Sequence, residues 1–327
     1  MSEPTSSEPR SSARFWAVVR VLLAVGGLGL VAWLAHDKGV DALAAVLVPA
    51  LAWLPLAAAF EVARIGMDAW SSRQTLGRRG AEVPLWALFL SHLVAFAVMG
   101  VAPAGRATAE AVKASLLSRW IGGPTAAALG TANQANVLIS SGTFTVLSTV
   151  AAYVVTGWSV LTILLIVHVL VMNLSGLALR AAARWESFSG WIGRRLPWVA
   201  AHTEAFVGAS RETALIPVAP VASMMFGRLL QAGHFFVLVV AVGIDADALK
   251  ALAVHGVYLV IAALGVLVPG QVGASEGGFE LAAEALGTTE TRALSIALLS
   301  HAVQFGLSGV GFVVLALWPA RPTEPAA

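Results

Sequence analysis

The chain of 327 residues contains no cysteine, which removes disulfides, thiol nucleophiles and cysteine-ligated zinc together. Charge is scarce as well. Asp, Glu, Lys and Arg make up 12% of the residues, against about 25% in an ordinary soluble domain. The two signs nearly balance, with 20 basic and 18 acidic residues, and no basic cluster is interleaved with aromatics on a polar segment, so nucleic acid is not an expected partner. His92, His168, His234, His255 and His301 stand at no metal-ligand spacing, and neither a metal nor another cofactor is expected. No serine, carboxylate pair or metal set sits at a recognisable catalytic spacing.

Apolar residues fill the space left by charge. They reach 58% with a mean hydropathy of +0.82, which makes this an integral membrane protein in an all-α fold. Residues 1–14, rich in Ser, Pro and Glu, cannot bury a core and read as a disordered tail. The apolar run 15–35 is long enough to be a retained first helix, with Trp33 where a signal peptide would place a small residue. Further apolar runs cover 42–63, 84–102, 124–156, 158–179, 213–243, 249–268 and 293–318, and 319–327 reads as a second tail. A span needs about 20 apolar residues. The stretches 107–120 and 277–287 are too short and too polar to cross.

Two segments carry the organisation. Val101-Ala-Pro-Ala-Gly-Arg-Ala-Thr-Ala-Glu110 and Leu267-Val-Pro-Gly-Gln-Val-Gly-Ala-Ser-Glu276 each break an apolar run at Pro and Gly, with a Glu seven residues after the Pro. Each is expected to be a helix broken inside lipid. Paired interruptions in the two halves of a membrane protein point to a binding site near the bilayer midplane. The reading is therefore about six full spans plus two re-entrant hairpins, over roughly 84–120 and 249–287, within one transmembrane domain spanning 15–318.

Lys and Arg collect on the cytoplasmic side of membrane proteins. With hairpin one opening inward and hairpin two outward, 14 of the 20 basic residues fall inside, Arg64 and Lys113 among them. Lys38, Lys250 and Arg292 fall outside, and Arg20, Arg106 and Arg228 lie within apolar stretches. Both termini are then cytoplasmic in a bacterial inner membrane, and the hairpins form an inverted repeat. The polar region 180–212 places Trp185, Phe188, Trp191 and Ile192 at helical spacing beside Arg184, Arg194 and Arg195, the pattern of a helix lying in the inner headgroup layer.

Chemistry concentrates at the hairpin tips. Return helices that start at mid-membrane aim free N–H groups inward, a setting for an anion such as a lipid phosphate. Arg106 adds a full charge at the first tip, and Gln271 and Ser275 stand at the second. Glu110 and Glu276 have two readings. Each can cap its return helix, with Lys113 three residues after Glu110 as an ion-pair partner, or each can serve a proton pathway. Asn133, Gln134 and Asn136 form a polar band that either bonds to neighbouring helices or lines a cavity. Arg228, Gln231 and His234 share one helical face, as do His301, Gln304 and Ser308. Arg228 requires a carboxylate, carbonyl or phosphate partner. Glu61, Arg64 and Asp68 read as an interfacial charge cluster at a helix end.

The run Pro103-Ala-Gly-Arg-Ala-Thr-Ala-Glu110-Ala-Val-Lys113 through Arg119, then Gly122 to Gly130, resembles the Pro...Gly-Glu-x-x-Arg...Leu-x-x-Arg...Gly signature of the flippase-like family. That family includes the membrane part of lysylphosphatidylglycerol synthases. Pro269-Gly-Gln-Val-Gly273-Ala-Ser-Glu276-Gly-Gly resembles its second signature, and the likeness runs from about Phe15 to Trp318. Two extra residues separate Pro103 from Glu110, Ser275 replaces an Arg, and Asn133-Gln-Ala-Asn136 stands in the region of a Glu-Arg pair. The resemblance implies two facing hairpins and a role in moving or holding lipids, without the synthases' soluble domain. The expected activity is translocation or binding of a lipid with an anionic headgroup. The alternatives are a membrane enzyme using Glu110 or a His as general base on a lipid headgroup, and a non-catalytic partner subunit of a lipid-biosynthesis system. A homo-oligomer is compatible with either.

Overall fold

The computed structural model describes residues 25–102, 105–186, 203–265 and 268–319. The expected tails, the first part of the first helix, Pro103 and Leu267, and Phe188, Trp191, Ile192, Arg194 and Arg195 of the interfacial region lie outside these. Among the described residues there are helices and turns and no strand. α1 covers 25–38, α2 Val40–Ala50, α3 Leu54–Thr75, α4 Leu85–Val101, α5 Gly105–Ile121 and α6 Gly123–Thr156. α7 covers Val160–Arg184, α8 Thr203–Glu212, α9 Val218–Ala241, α10 Ala248–Leu264, α11 Ala274–Leu281 and α12 Glu290–Ala316.

Helix starts follow local chemistry. The side chains of Ser159, Asp247 and Thr289 accept from the backbone N–H three residues on, capping α7, α10 and α12. Prolines sit in the first turns of α3 and α6, where no N–H is missed. Five stretches are long and apolar enough to cross a membrane: Val40–Thr75, Gly123–Thr156, Val160–Arg184, Val218–Ala241 and Glu290–Ala316. They contain five of the six spans expected from hydropathy; of the sixth, 15–35, the described residues include 25–35, within α1.

Packing obeys a reciprocal rule. α3 lies along α9, and α3 leads into the α4–α5 hairpin and then α6 as α9 leads into α10, α11 and then α12. The first arm of each hairpin packs on the long helix of the other half, α4 on α12 and α10 on α6. The halves run in opposite directions. The end of α12 meets the start of α4 and the end of α5 through Trp318, Trp86 and Trp120, with ring centroids 6.0–6.4 Å apart. At the other end Lys38 meets Glu280 and Glu290 at 2.7 and 2.6 Å. Those carboxylates, Glu280 first, hold the Lys38 ammonium above its ordinary pKa and fasten α1 across the mouth of the second hairpin.

Two basic residues do not lie on the inner face. Lys113 is 1% exposed and buried in the bundle, and Arg64 sits midway along α3 with its carboxylates facing inward. Hydropathy ends the apolar run at these charges because it scores a paired interior charge as if it were solvated. α3 instead continues to Thr75. Of the interfacial region, α8 is described, and it packs on α6 with Val207 and Ser210 buried.

Close packing depends on small residues, as expected where helices lack a hydrophobic force between them. A Cβ on Gly311 of α12 would stand 2.6 Å from the Leu93 carbonyl oxygen and 2.7 Å from the Ala97 Cβ of α4. Gly311→Val should therefore prise α12 from α4 and lower stability by about 1–3 kcal/mol, the usual effect of overpacking. Thermal unfolding of the detergent-solubilised variant measures it, and an unchanged midpoint would show that the α4–α12 contact yields easily.

Candidate functional site

The arms α4 and α5 are 17 residues each, about 25 Å long, whereas α6 has 34 residues and runs about 50 Å. Arg106, in the first turn of α5, shares a cavity wall with Gln134 and Val137 of α6, which places this tip roughly 16–20 Å along that helix. The second tip arrives from the other half. A Cβ on Gly270 would lie 3.4 Å from the Gly100 carbonyl oxygen, and one on Gly100 would lie 3.7 Å from Gln304 Nε2. The tips therefore touch, and Gln304 of α12 stands beside them.

A cavity of about 330 Å³ opens beside this contact. Its polar wall carries Arg106, Gln134, Ser141, His168, Arg228, Gln271 and Gln304, and its apolar wall is built from Met99, Val137, Met172, Leu259, Ala262 and Ala263. Among the described residues its lining includes no Asp or Glu. Gln271 is held at φ 60°, a left-handed backbone that is uncommon for a residue with a side chain. Such strain is kept where the surroundings fix it, often at a ligand site.

Arg228 donates to Ser141 Oγ at 2.7 Å and to Gln231 Oε1 at 2.8 Å. Both partners are neutral, so its charge is solvated by dipoles and offset by no bonded carboxylate. Arg106 makes no hydrogen bond or ion pair among the described residues. Two residues of the lining carry an unpaired polar atom: Gln134 Oε1 and His168 Nε2 are buried and without a hydrogen-bond partner among the described residues. His168 is only 7% exposed.

Behind Arg106 and Arg228 lies a smaller chamber, which both also line, with Arg64, Asp68, His92, Glu110 and Asn133. Glu110 meets Lys113 at 2.7 Å, and Gly130 of α6 leaves room for it, a Cβ there falling 3.4 Å from Glu110 Oε2. Arg64 bridges Glu61 and Asp68, each at 2.7 Å. This triad is no interfacial cluster. It repeats at i, i+3 and i+7, one helix face, and that spacing was the available signal that it points inward.

The amide band divides by orientation. Asn133 donates to Ser72 Oγ at 2.7 Å, and that hydroxyl meets His92 Nε2 at 2.7 Å. Asn136 donates to Thr75 Oγ1 at 3.1 Å and accepts from Arg180 at 2.8 Å. Both fasten α6 to its neighbours, and Gln134 faces the cavity. Glu276 lies behind the second tip, outside the cavity lining. It is 1% exposed, accepts from the Gly273 N–H at 2.8 Å and meets His301 Nδ1 at 2.8 Å. Ser275 is buried in the same turn.

The structure thus gathers Arg106, Gln134, Arg228, Gln271 and Gln304 around one cavity, places Glu110, Lys113 and Asn133 at or behind the smaller chamber, and uses Asn136, Ser275, Glu276 and His301 within the scaffold. Sequence reasoning missed His168, Ser141 and the Glu61–Arg64–Asp68 triad as site components. Among the described residues no group of three or more His, Asp or Glu could hold a metal ion.

Residues 17–311 match the model of the family described as lysylphosphatidylglycerol synthase TM region, and the chain belongs to that family. No curated protein and no solved structure matches it.

Proposed function

From family membership and the cavity, we propose that the protein is a lipid translocase, or lipid-binding transporter, for an amphiphile with an anionic headgroup. One observation carries the reading: two guanidiniums without bonded carboxylates, Arg106 and Arg228, line a cavity that has no acid among its described residues. A buried guanidinium needs an anionic or carbonyl partner, and phosphate suits its fork of donors. Acyl chains would lie along the apolar wall beside Met172 and Ala263 and leave the headgroup at the tips. No hydrogen bond joins Ser141 to His168 among the described residues, which favours binding and movement over catalysis in this reading. The hairpins are taken to be re-entrant, and the end rich in Arg78, Arg79, Arg119, Arg184 and Arg211 is taken to face the cytoplasm of a bacterial inner membrane.

Arg106→Ala should lower the flux of a fluorescent anionic phospholipid in proteoliposomes about tenfold or more, the effect of losing one charge-assisted hydrogen bond. Retention of the wild-type unfolding midpoint separates this from misfolding. Wild-type flux in a folded variant would remove the assignment.

A further inference from the structure

Resting on that reading, we propose that Asp68 and Glu110 are the residues that release the headgroup. As it departs, the guanidiniums of Arg228 and Arg106 turn from the phosphate to these two carboxylates behind the cavity.

The two guanidiniums belong to both compartments. Arg106 and Arg228 line the cavity, which has no acid among its described residues, and also the chamber of about 70 Å³ behind it, where Asp68 and Glu110 stand. That chamber has room for several waters or for a guanidinium that swings into it. Backbone geometry brings each pair within reach. α3 and α9 cross antiparallel, since Ser71 Oγ donates to the Pro220 carbonyl oxygen and His234 Nδ1 meets that of Ala57. Between these contacts a Cβ on Gly227 would lie 3.5 Å from Met67 Cβ and 3.6 Å from Arg64 Cγ. Arg228 and Asp68 each follow that crossing by one residue and stand within a turn of one another. Arg106 and Glu110 are four residues apart on one face of α5.

Neither carboxylate is fully engaged. Asp68 gives Oδ2 to Arg64, and its Oδ1 has no partner among the described residues. Glu110 meets Lys113 alone, and its side chain keeps 20% of its exposure. Arg228 is free to turn, because its bonds are to neutral groups and Gln231 Oε1 also meets His255 Nε2 at 3.3 Å. The energetics call for such partners. Two guanidiniums that lost a phosphate and gained nothing would stand as uncompensated charges in a low-dielectric interior, so unloading would be slow. Carboxylates that accept them lower the energy of the emptied site, and two discrete arrangements of one charge set replace a single deep trap.

The test follows the dissociation of a fluorescent phosphatidylglycerol from the purified full-length protein in detergent, and its flux in proteoliposomes. Asp68→Asn leaves Arg64 its counter-ion Glu61 and should slow dissociation about tenfold, the effect of losing one charge-assisted hydrogen bond from the emptied site. Flux should fall with it. Glu110→Gln should behave alike. A merely structural role predicts the opposite sign, faster dissociation from a loosened site. In an Arg228→Gln background Asp68→Asn should change nothing further, and in an Arg106→Gln background neither should Glu110→Gln, because the guanidinium that makes the exchange is gone. Single variants that release lipid at or above the wild-type rate overturn the inference. So does slowing that persists in the double variants, which would reduce the carboxylates to a diffuse field. If Glu110→Gln fails to fold for want of a partner to Lys113, the Asp68 arm decides. Dissociation that depends on neither Arg106 nor Arg228 would instead sink the transport reading itself, and this inference with it.

Discussion

Arg64→Met should destabilise the protein by about 3–5 kcal/mol, because it leaves the buried Glu61 and the partly buried Asp68 without a counter-ion. Arg64 donates to both, at 2.8 Å through Nε to Glu61 and at 2.7 Å to Asp68, and Glu61 is 6% exposed with Oε2 already unpaired. In thermal unfolding the midpoint should fall by roughly 10 °C. A triple variant, Glu61→Leu with Arg64→Met and Asp68→Leu, should recover most of the loss, since apolar residues often replace a buried ion set at little cost. An Arg64→Met protein as stable as the wild type would mean that water reaches the triad, and the charge balance at the site would need redrawing.

The architecture was legible because it rests on backbone chemistry. Pro and Gly within apolar runs mark broken helices wherever they fold, and Gly270 beside Gly100 is the meeting of two such breaks. Arg106 and Arg228 were legible as charges that lipid would not tolerate without a reason. Partnership across distant segments was not. Glu276 reads alone as a cap or a proton site, and its partner His301 lies 25 residues away on another helix. Asn133 and Gln134 are neighbours in sequence, yet a helical step of about 100° sends one to Ser72 and the other to the cavity. His168 lies in an apolar helix with nothing beside it in sequence to show that it lines the same cavity as Gln134. Arg64 misled because hydropathy cannot distinguish a charge paired inside a bundle from one at a membrane surface.

Gly273→Ala should be strongly destabilising for a change of one methyl group. Gly273 has φ 84°, where a Cβ costs about 1–2 kcal/mol. That Cβ would also stand 2.6 Å from the Gly27 Cα and 2.9 Å from its carbonyl oxygen. The obstacle is backbone on both sides, since a Cβ on Gly27 would in turn lie 2.2 Å from the Val272 carbonyl oxygen. No side chain can rotate away, so α1 or the second tip must move, adding about 1–3 kcal/mol. The Gly273 N–H is also the donor that fixes the Glu276 carboxylate, so the displacement passes to His301 and to the turn holding Gln271. Loss of about 3 kcal/mol or more is expected by thermal unfolding, together with reduced lipid retention even at temperatures where the protein stays folded. Gly277→Ala supplies the control, because a Cβ there meets only the end of the Leu30 side chain at 3.6 Å and should change neither readout. If Gly273→Ala behaved like that control, the close crossing of α1 over the second tip would not exist in the membrane, and the tip would owe its shape to the hairpin alone.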